Sequence, residues 1–248
     1  MASHTSYSTL DAEVTFPLTS RFYDAGNILS VKESVNRVVQ MDILERTAQQ
    51  LELSLNRLDN VEEVWDWSGR PAVVMNACRR MKSGDPIPVC LFATFQGAGR
   101  RHNLSLVMQH FSAAIYPHAA IPEEPKEEYF HTHPSWSLER CGSQNTWVIL
   151  YEFKSSAQVE ARWNNLASEK EDRSKVSSFT MCDETVASLK AKSTEKWRGW
   201  INRCKTDEAY LLACLGEYKV WKRYVFRFHP HSYHPLRGLS TRMSTKLQ

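Results

Sequence analysis

Residues 147–153 read Trp147-Val148-Ile149-Leu150-Tyr151-Glu152-Phe153. Aromatic and β-branched side chains dominate the run and Glu152 alone is charged, which predicts a strand rather than a helical turn. It is the strongest strand signal in the chain. Val89-Cys90-Leu91-Phe92-Ala93, inside Pro88 to Gln96, is almost continuously apolar and predicts a strand buried on both faces. Gly97-Ala98-Gly99 turns that strand towards another over His102 to Tyr116, and Glu128-Tyr129-Phe130 follows a Pro- and Glu-rich loop from Pro117 to Lys126. These runs put a β-structure at the centre of the molecule.

Helical signals flank that centre. Ser156 is placed to cap a helix through Leu166. Asp207 to Tyr224 is clearer, with Leu211, Cys214, Leu215, Tyr218 and Trp221 on one stripe. Between them, Glu169 to Lys196 is charged and weakly periodic, which predicts surface loop with a short helix. Upstream, Pro71 suits a first helical turn, so Ala72 to Lys82 reads as a helix ended by Gly84 and Pro86. Val64-Trp65-Asp66-Trp67 meets a turn at Ser68-Gly69. Leu51, Leu53 and Leu55 alternate as in a strand, whereas Val31 to Leu44 fits a helix or an imperfect strand equally well. The first 30 residues are rich in Ser and Thr and lack a core pattern. The reading is therefore an α+β chain: a compact β-sandwich-like core with flanking helices over residues 31–248, and an extended N-terminal arm over residues 1–30.

Composition narrows the function. The chain has 8 Trp, 9 Tyr and 10 Phe against 9 Gly, an aromatic excess that serves a large core or a surface that a partner covers. Net charge is +3 and the basic runs, Arg79-Arg80-Met81-Lys82 and Arg100-Arg101, are short, which argues against a nucleic-acid-binding stripe. No apolar run reaches membrane-spanning length, and the polar start from Met1 to Asp11 lacks a secretory pattern, so a cytoplasmic protein is expected. The six cysteines, Cys78, Cys90, Cys141, Cys182, Cys204 and Cys214, form no CxxC pair, and free thiols are expected.

Few constellations suggest chemistry. His131 and His133 share one face of an extended segment, with Glu128 or Glu139 as a third ligand, but Pro134 favours an exposed turn over a zinc site. His229, His231 and His234 are separated by Pro230 and Pro235 and read as packing residues. Gln96-Gly97-Ala98-Gly99-Arg100-Arg101 could offer amides to an anion, yet it lacks the Lys-Ser/Thr ending of a phosphate loop. No nucleophile elbow is present. No catalytic residue, metal or cofactor is assigned.

The stretch Glu128-Tyr129-Phe130-His131-Thr132-His133-Pro134-Ser135-Trp136 resembles one in cypovirus polyhedrins, where Glu-Tyr is followed by His-Pro next to Trp. As in that family, a polar turn (Cys141 to Asn145) leads into a strand, here Trp147 to Phe153. A second similarity is the helix opened by Asp207, followed by Pro230-His231-Ser232-Tyr233-His234-Pro235-Leu236, which resembles a Pro-x-x-Tyr-x-x-Leu tail. About 55 residues carry these motifs within the last 150, and the first 70 do not align.

The resemblance implies a structural protein and no enzyme. Its trimers would pack into crystalline occlusion bodies in the cytoplasm of an infected insect cell, embedding virus particles, with an N-terminal helix locking neighbouring trimers. Nucleotides accompany some crystals of the family, but no binding residue carries over. Such bodies dissolve in an alkaline gut. Tyr, Cys and Lys lose protons as pH climbs while Arg holds its charge, so close-packed copies come to repel. Tyr129, Trp136, Tyr151, Tyr218, Trp221, Tyr224 and Tyr233 lie in or beside the family-like stretches and are the expected assembly and pH-trigger residues. Two other readings stand beside this one. The first is a small enzyme of the dimeric ferredoxin-like barrel type, with a helix Val159 to Leu166 flanking the strand. The second is a nucleic-acid-binding protein using Arg79-Arg80 and Arg100-Arg101.

Overall fold

The computed structural model describes residues 21–53, 69–81, 84–95, 100–117, 129–136, 145–157, 159–163 and 178–228. The chain is α+β. Its ten described strands are β1 (Arg21–Tyr23), β2 (Ile28–Lys32), β3 (Gly69–Val74), β4 (Cys78–Met81), β5 (Ile87–Ala93), β6 (Ser112–Ile115), β7 (Tyr129–Phe130), β8 (Trp147–Ile149), β9 (Phe153–Ser155) and β10 (Val159–Arg162). Eight form one sheet in the order β10-β2-β3-β5-β8-β6-β7, with β9 also on β5, while β1 and β4 make a separate ribbon. The pairings are antiparallel except β6 with β7.

Side chains alternate strictly across this sheet. Leu29, Val31, Ala72, Val74, Val89, Leu91, Ala114, Trp147 and Ile149 face one apolar layer. Ile28, Val73, Cys90, Phe92, Ala113, Ile115, Val148 and Leu150 face the other. Burial on both faces is why these strands read as unbroken apolar runs. The sandwich-like centre is thus one sheet between two apolar layers.

Helices close the first layer. A helical run begins with α1 (Val35–Arg37), continues as a π-helical stretch Val38–Glu45 and ends in α2 (Arg46–Gln50). It stops in a left-handed Glu52, with Leu53 N–H on the Ala48 carbonyl and Glu52 N–H on that of Gln49, the pattern of a Schellman cap. α3 (Leu106–Phe111), α4 (Asp183–Thr206) and α5 (Glu208–Phe228) complete the described helices. α4 serves both layers, placing Trp200 and Cys204 in the first and Val186 and Leu189 in the second. Asp183 and Glu184 in its first turn, with Arg203 and Lys205 in its last, suit the helix dipole.

Several expectations are corrected. Residues 21–30 belong to the fold: β2 lies between β10 and β3, and Ile28 and Leu29 are fully buried. The rest of the expected arm, residues 1–20, lies outside the described residues. Of the helix expected over Ala72 to Lys82, the described part, Ala72 to Met81, is not helical, because Val73 and Val74 pair within the sheet and Pro71 lies beyond the stretch of β3 paired to β5. Leu51 and Leu53 end a helix instead of forming a strand, and Leu55 is not described. His102 to Tyr116 divides into a 3₁₀ turn, α3 and β6. The expected helix from Ser156 is β10, whose Val159 and Ala161 pair with Val31 and Ser30. With it goes the flanking helix that the ferredoxin-like reading required. Finally, in Glu169 to Lys196, expected as surface loop with a short helix, Asp183 to Lys196 is the first part of the 24-residue α4, and residues 169–177 lie outside the described residues.

Candidate functional site

The stretch Trp147 to Phe153 also helps to build a polar part of the interior. On β5, Phe92 pairs with Val148 and Val89 with Phe153, so three steps on one strand face five on the other. The two extra residues form a bulge between β8 and β9. Tyr151 in that bulge is 4% exposed and turns towards the helical layer.

There it meets the π-helical stretch. The Tyr151 hydroxyl donates to the Asp42 carbonyl at 2.8 Å and accepts from Arg46 Nη1 at 3.0 Å. Its ring lies 5.3 Å from Trp197 and 6.1 Å from Phe111, and the Arg46 guanidinium stands 5.6 Å above Trp197. The wider π-helical winding is visible where Arg46 N–H reaches the Met41 carbonyl. Such stretches recur at functional sites. Beneath it, Trp200 Nε1 donates to Thr47 Oγ1 at 2.8 Å, and that hydroxyl donates to the Ile43 carbonyl at 2.5 Å.

A charged chain continues from this point. Glu33 is 2% exposed, and its carboxylate accepts from Arg37 Nε at 2.7 Å, Ser155 Oγ at 2.8 Å and Ser34 N–H at 3.2 Å. Arg37 Nη2 lies 3.4 Å from Asp42 Oδ2. Burial holds the Asp42 carboxyl above its ordinary pKa, although Arg37 pulls it down. Burial also raises the Tyr151 phenol, with Arg46 opposing. Ser155, Glu33, Arg37, Asp42, Tyr151 and Arg46 therefore form one linked polar seam, in which two carboxylates balance two guanidinium groups.

A second cluster lies between α4 and α5. Cys204 and Cys214 are buried, and Tyr210 packs under the Arg203 guanidinium at 3.7 Å. Desolvation pushes Tyr210 and Cys204 each up to about 12, and Cys214 also upward. Buried Cys90, beneath the sheet, is raised too. His110 of α3 donates from Nε2 to the Lys196 carbonyl at 2.8 Å, and burial lowers its pKa, keeping it neutral.

The residues named from sequence are distributed unevenly around these clusters. Trp136 is 1% exposed, 5.3 Å from Phe92 and 4.8 Å from Phe179, with Nε1 donating to Thr146 Oγ1 at 3.0 Å. Tyr218 is equally enclosed, its hydroxyl donating to Asn36 Oδ1 at 3.0 Å. Tyr129 is half-buried beside Ala114. As contacts between chains, Trp136, Tyr151 and Tyr218 are corrected: their surfaces are already covered within one chain. Trp221 and Tyr224 lie on α5 with side chains outside the description, and Tyr233 lies outside the described residues.

His131 and His133 are exposed, the former 4.8 Å from the Tyr116 ring. Among the described residues no group of three His, Cys, Asp or Glu gathers for a metal. Glu128, Glu139, His229, His231, His234 and Gln96 to Gly99 lie outside the description. No helix among the described residues is long and apolar enough to cross a membrane.

The sequence reading missed Glu33, Arg37, Asp42, Arg46 and Ser155. The spacing of Glu33 and Arg37, one helical turn apart beside Val35, Val38 and Val39, was the available signal. No protein-family model matches the chain, and neither a curated protein nor a solved structure does.

Proposed function

We propose that the chain is a polyhedrin-like matrix protein, which packs with copies of itself as trimers into crystalline bodies that embed virus particles and dissolve in alkali. The observation that carries the reading joins sequence to geometry. The two family-like stretches supply Tyr151, Tyr210 and Cys214, buried or half-buried groups that burial keeps protonated beyond their ordinary range.

The sign follows from linkage. These groups bind protons more tightly folded than unfolded, so their contribution is complete below the unfolded values, about 8.5 for Cys and 10 for Tyr. It is lost as pH rises towards the folded values, which reach about 12 for Tyr210 and Cys204. The reading thus assigns alkaline release to loosening of the protomer itself, with repulsion between copies added.

The test is expression of the chain alone in insect cells. Refractile polyhedral bodies that persist in detergent at neutral pH and dissolve between about pH 10 and 12 are expected. A soluble protein at high yield, without bodies, sinks the reading.

A further inference from the structure

Helix α5 has two apolar faces. Leu211, Cys214, Leu215 and Tyr218 are buried in the core. On the opposite side Leu212 is 53% exposed and Val220 66%, with exposed Ala209, Ala213 and Gly216 on the same side. Positions three and four apart share a helix face, so these residues form one outward stripe. Glu217 beside it is engaged elsewhere, its carboxylate accepting the Leu106 N–H at 2.7 Å. Phe22, Met41 and Tyr116, other exposed large apolar residues among those described, lie away from α5 in the sequence.

From this we infer that the outer face of α5 docks on the same face of a second copy of the chain, the two helices antiparallel and crossing at Gly216. Three features select this occupant. The stripe is symmetric about its glycine, with Leu212 four residues before and Val220 four after. A two-fold axis through Gly216 therefore sets each Leu212 against the other copy's Val220. A Cβ added at Gly216 would meet nothing within 4 Å among the described residues, so these leave the crossing point open for another backbone. Charge is divided along the helix too. Asp207 and Glu208 stand at its start, while Lys219, Lys222 and Arg223 come late in its sequence. Antiparallel helices bring acidic ends and positive dipole ends to basic and negative ones, whereas a parallel pair opposes like with like.

The partner is the protein itself, as in the proposed assembly, but the argument rests on α5 alone. One helix pair buries little area, below about 1,200 Å² in total, so weak association is expected outside a lattice.

Cross-linking tests it on the full chain, recovered either soluble or as bodies. Gly216→Cys, oxidised by air with a copper catalyst, should give a disulfide-linked dimer well above the wild-type background, to which exposed Cys182 contributes. Leu212→Cys alone should not exceed that background, whereas Leu212→Cys with Val220→Cys should. Gly216→Ala supplies the second measurement. It should raise the melting temperature, because alanine favours a helix over glycine, and still weaken association by roughly tenfold or more.

A Gly216→Cys chain that links no better than wild type overturns the inference, as does Leu212→Cys linking equally well. A chain that stays monomeric at about 100 μM, with the stripe covered by its own residues, also overturns it. Bodies without the Gly216→Cys link would leave the matrix reading standing and remove this contact. The link without bodies would do the reverse.

Discussion

Replacing Tyr151 by Phe separates the two roles of its hydroxyl, packing partner and titrating acid. At neutral pH the variant loses the bond to the Asp42 carbonyl at 2.8 Å and that from Arg46 at 3.0 Å. Arg46 is exposed and keeps Trp197 beneath it, so its freed donor turns to water. The Asp42 carbonyl loses its phenolic donor. The net cost is about 1–3 kcal/mol, the range for leaving a buried acceptor unmatched. Above the unfolded tyrosine pKa, near 10, the wild type begins to lose the preference that its raised phenol supplies, and Phe has none to lose. The wild-type advantage should therefore shrink by up to about 1.4 kcal/mol per pH unit. Guanidinium unfolding followed by tryptophan fluorescence, at steps from about pH 8 to 11, measures both effects. A stability difference that stays constant across that range refutes the reasoning, because the phenol would then titrate alike in folded and unfolded chains.

Two further substitutions test other parts of the architecture. Glu33→Ala strands Arg37 Nε, Ser155 Oγ and Ser34 N–H together, and should cost about 3 kcal/mol in the same unfolding assay. Ser155→Ala should cost only about 1. Gly26→Ala should lower the melting temperature by at least about 5 °C, since Gly26 has φ +86° and an added Cβ would collide with the Met181 carbonyl. Gly84→Ala is the control: its φ of +92° is similar but its surroundings are open, so a smaller loss is expected.

Sequence legibility followed burial. Val89 to Ala93 was readable because both its faces are buried, and the α5 stripe because one face is. α4 was missed because Ser193 interrupts its buried positions and charged residues fill the turns between them. β3 was mistaken for a helix because Pro71 suits a helix start as well as a strand position with a partner on one side only. Its signal lay in Val73 and Val74, β-branched neighbours facing opposite layers. The interior polar seam was least legible, since it joins Glu33 to Ser155 and Arg46 to Tyr151 across more than a hundred residues. Trp136, Tyr151 and Tyr218 were expected at contacts between copies but are covered by their own chain. Composition records that a ring is covered, and only the fold records whether its own chain covers it.

The place of β2 in the sheet governs when the molecule can finish folding. It is made before both of its neighbours, since one flank needs Gly69–Val74 and the other Val159–Arg162. Gly26 and Asn27 just before it wait longer, for Met181 and Thr180. Loop-closure entropy must be met before these distant contacts give any return, so folding should be slow and largely completed after the ribosome has passed residue 181. Helix α5 emerges later still. A nascent chain therefore stays unfinished long after β2 is made, and its outward apolar stripe appears only as that strand is being locked in place.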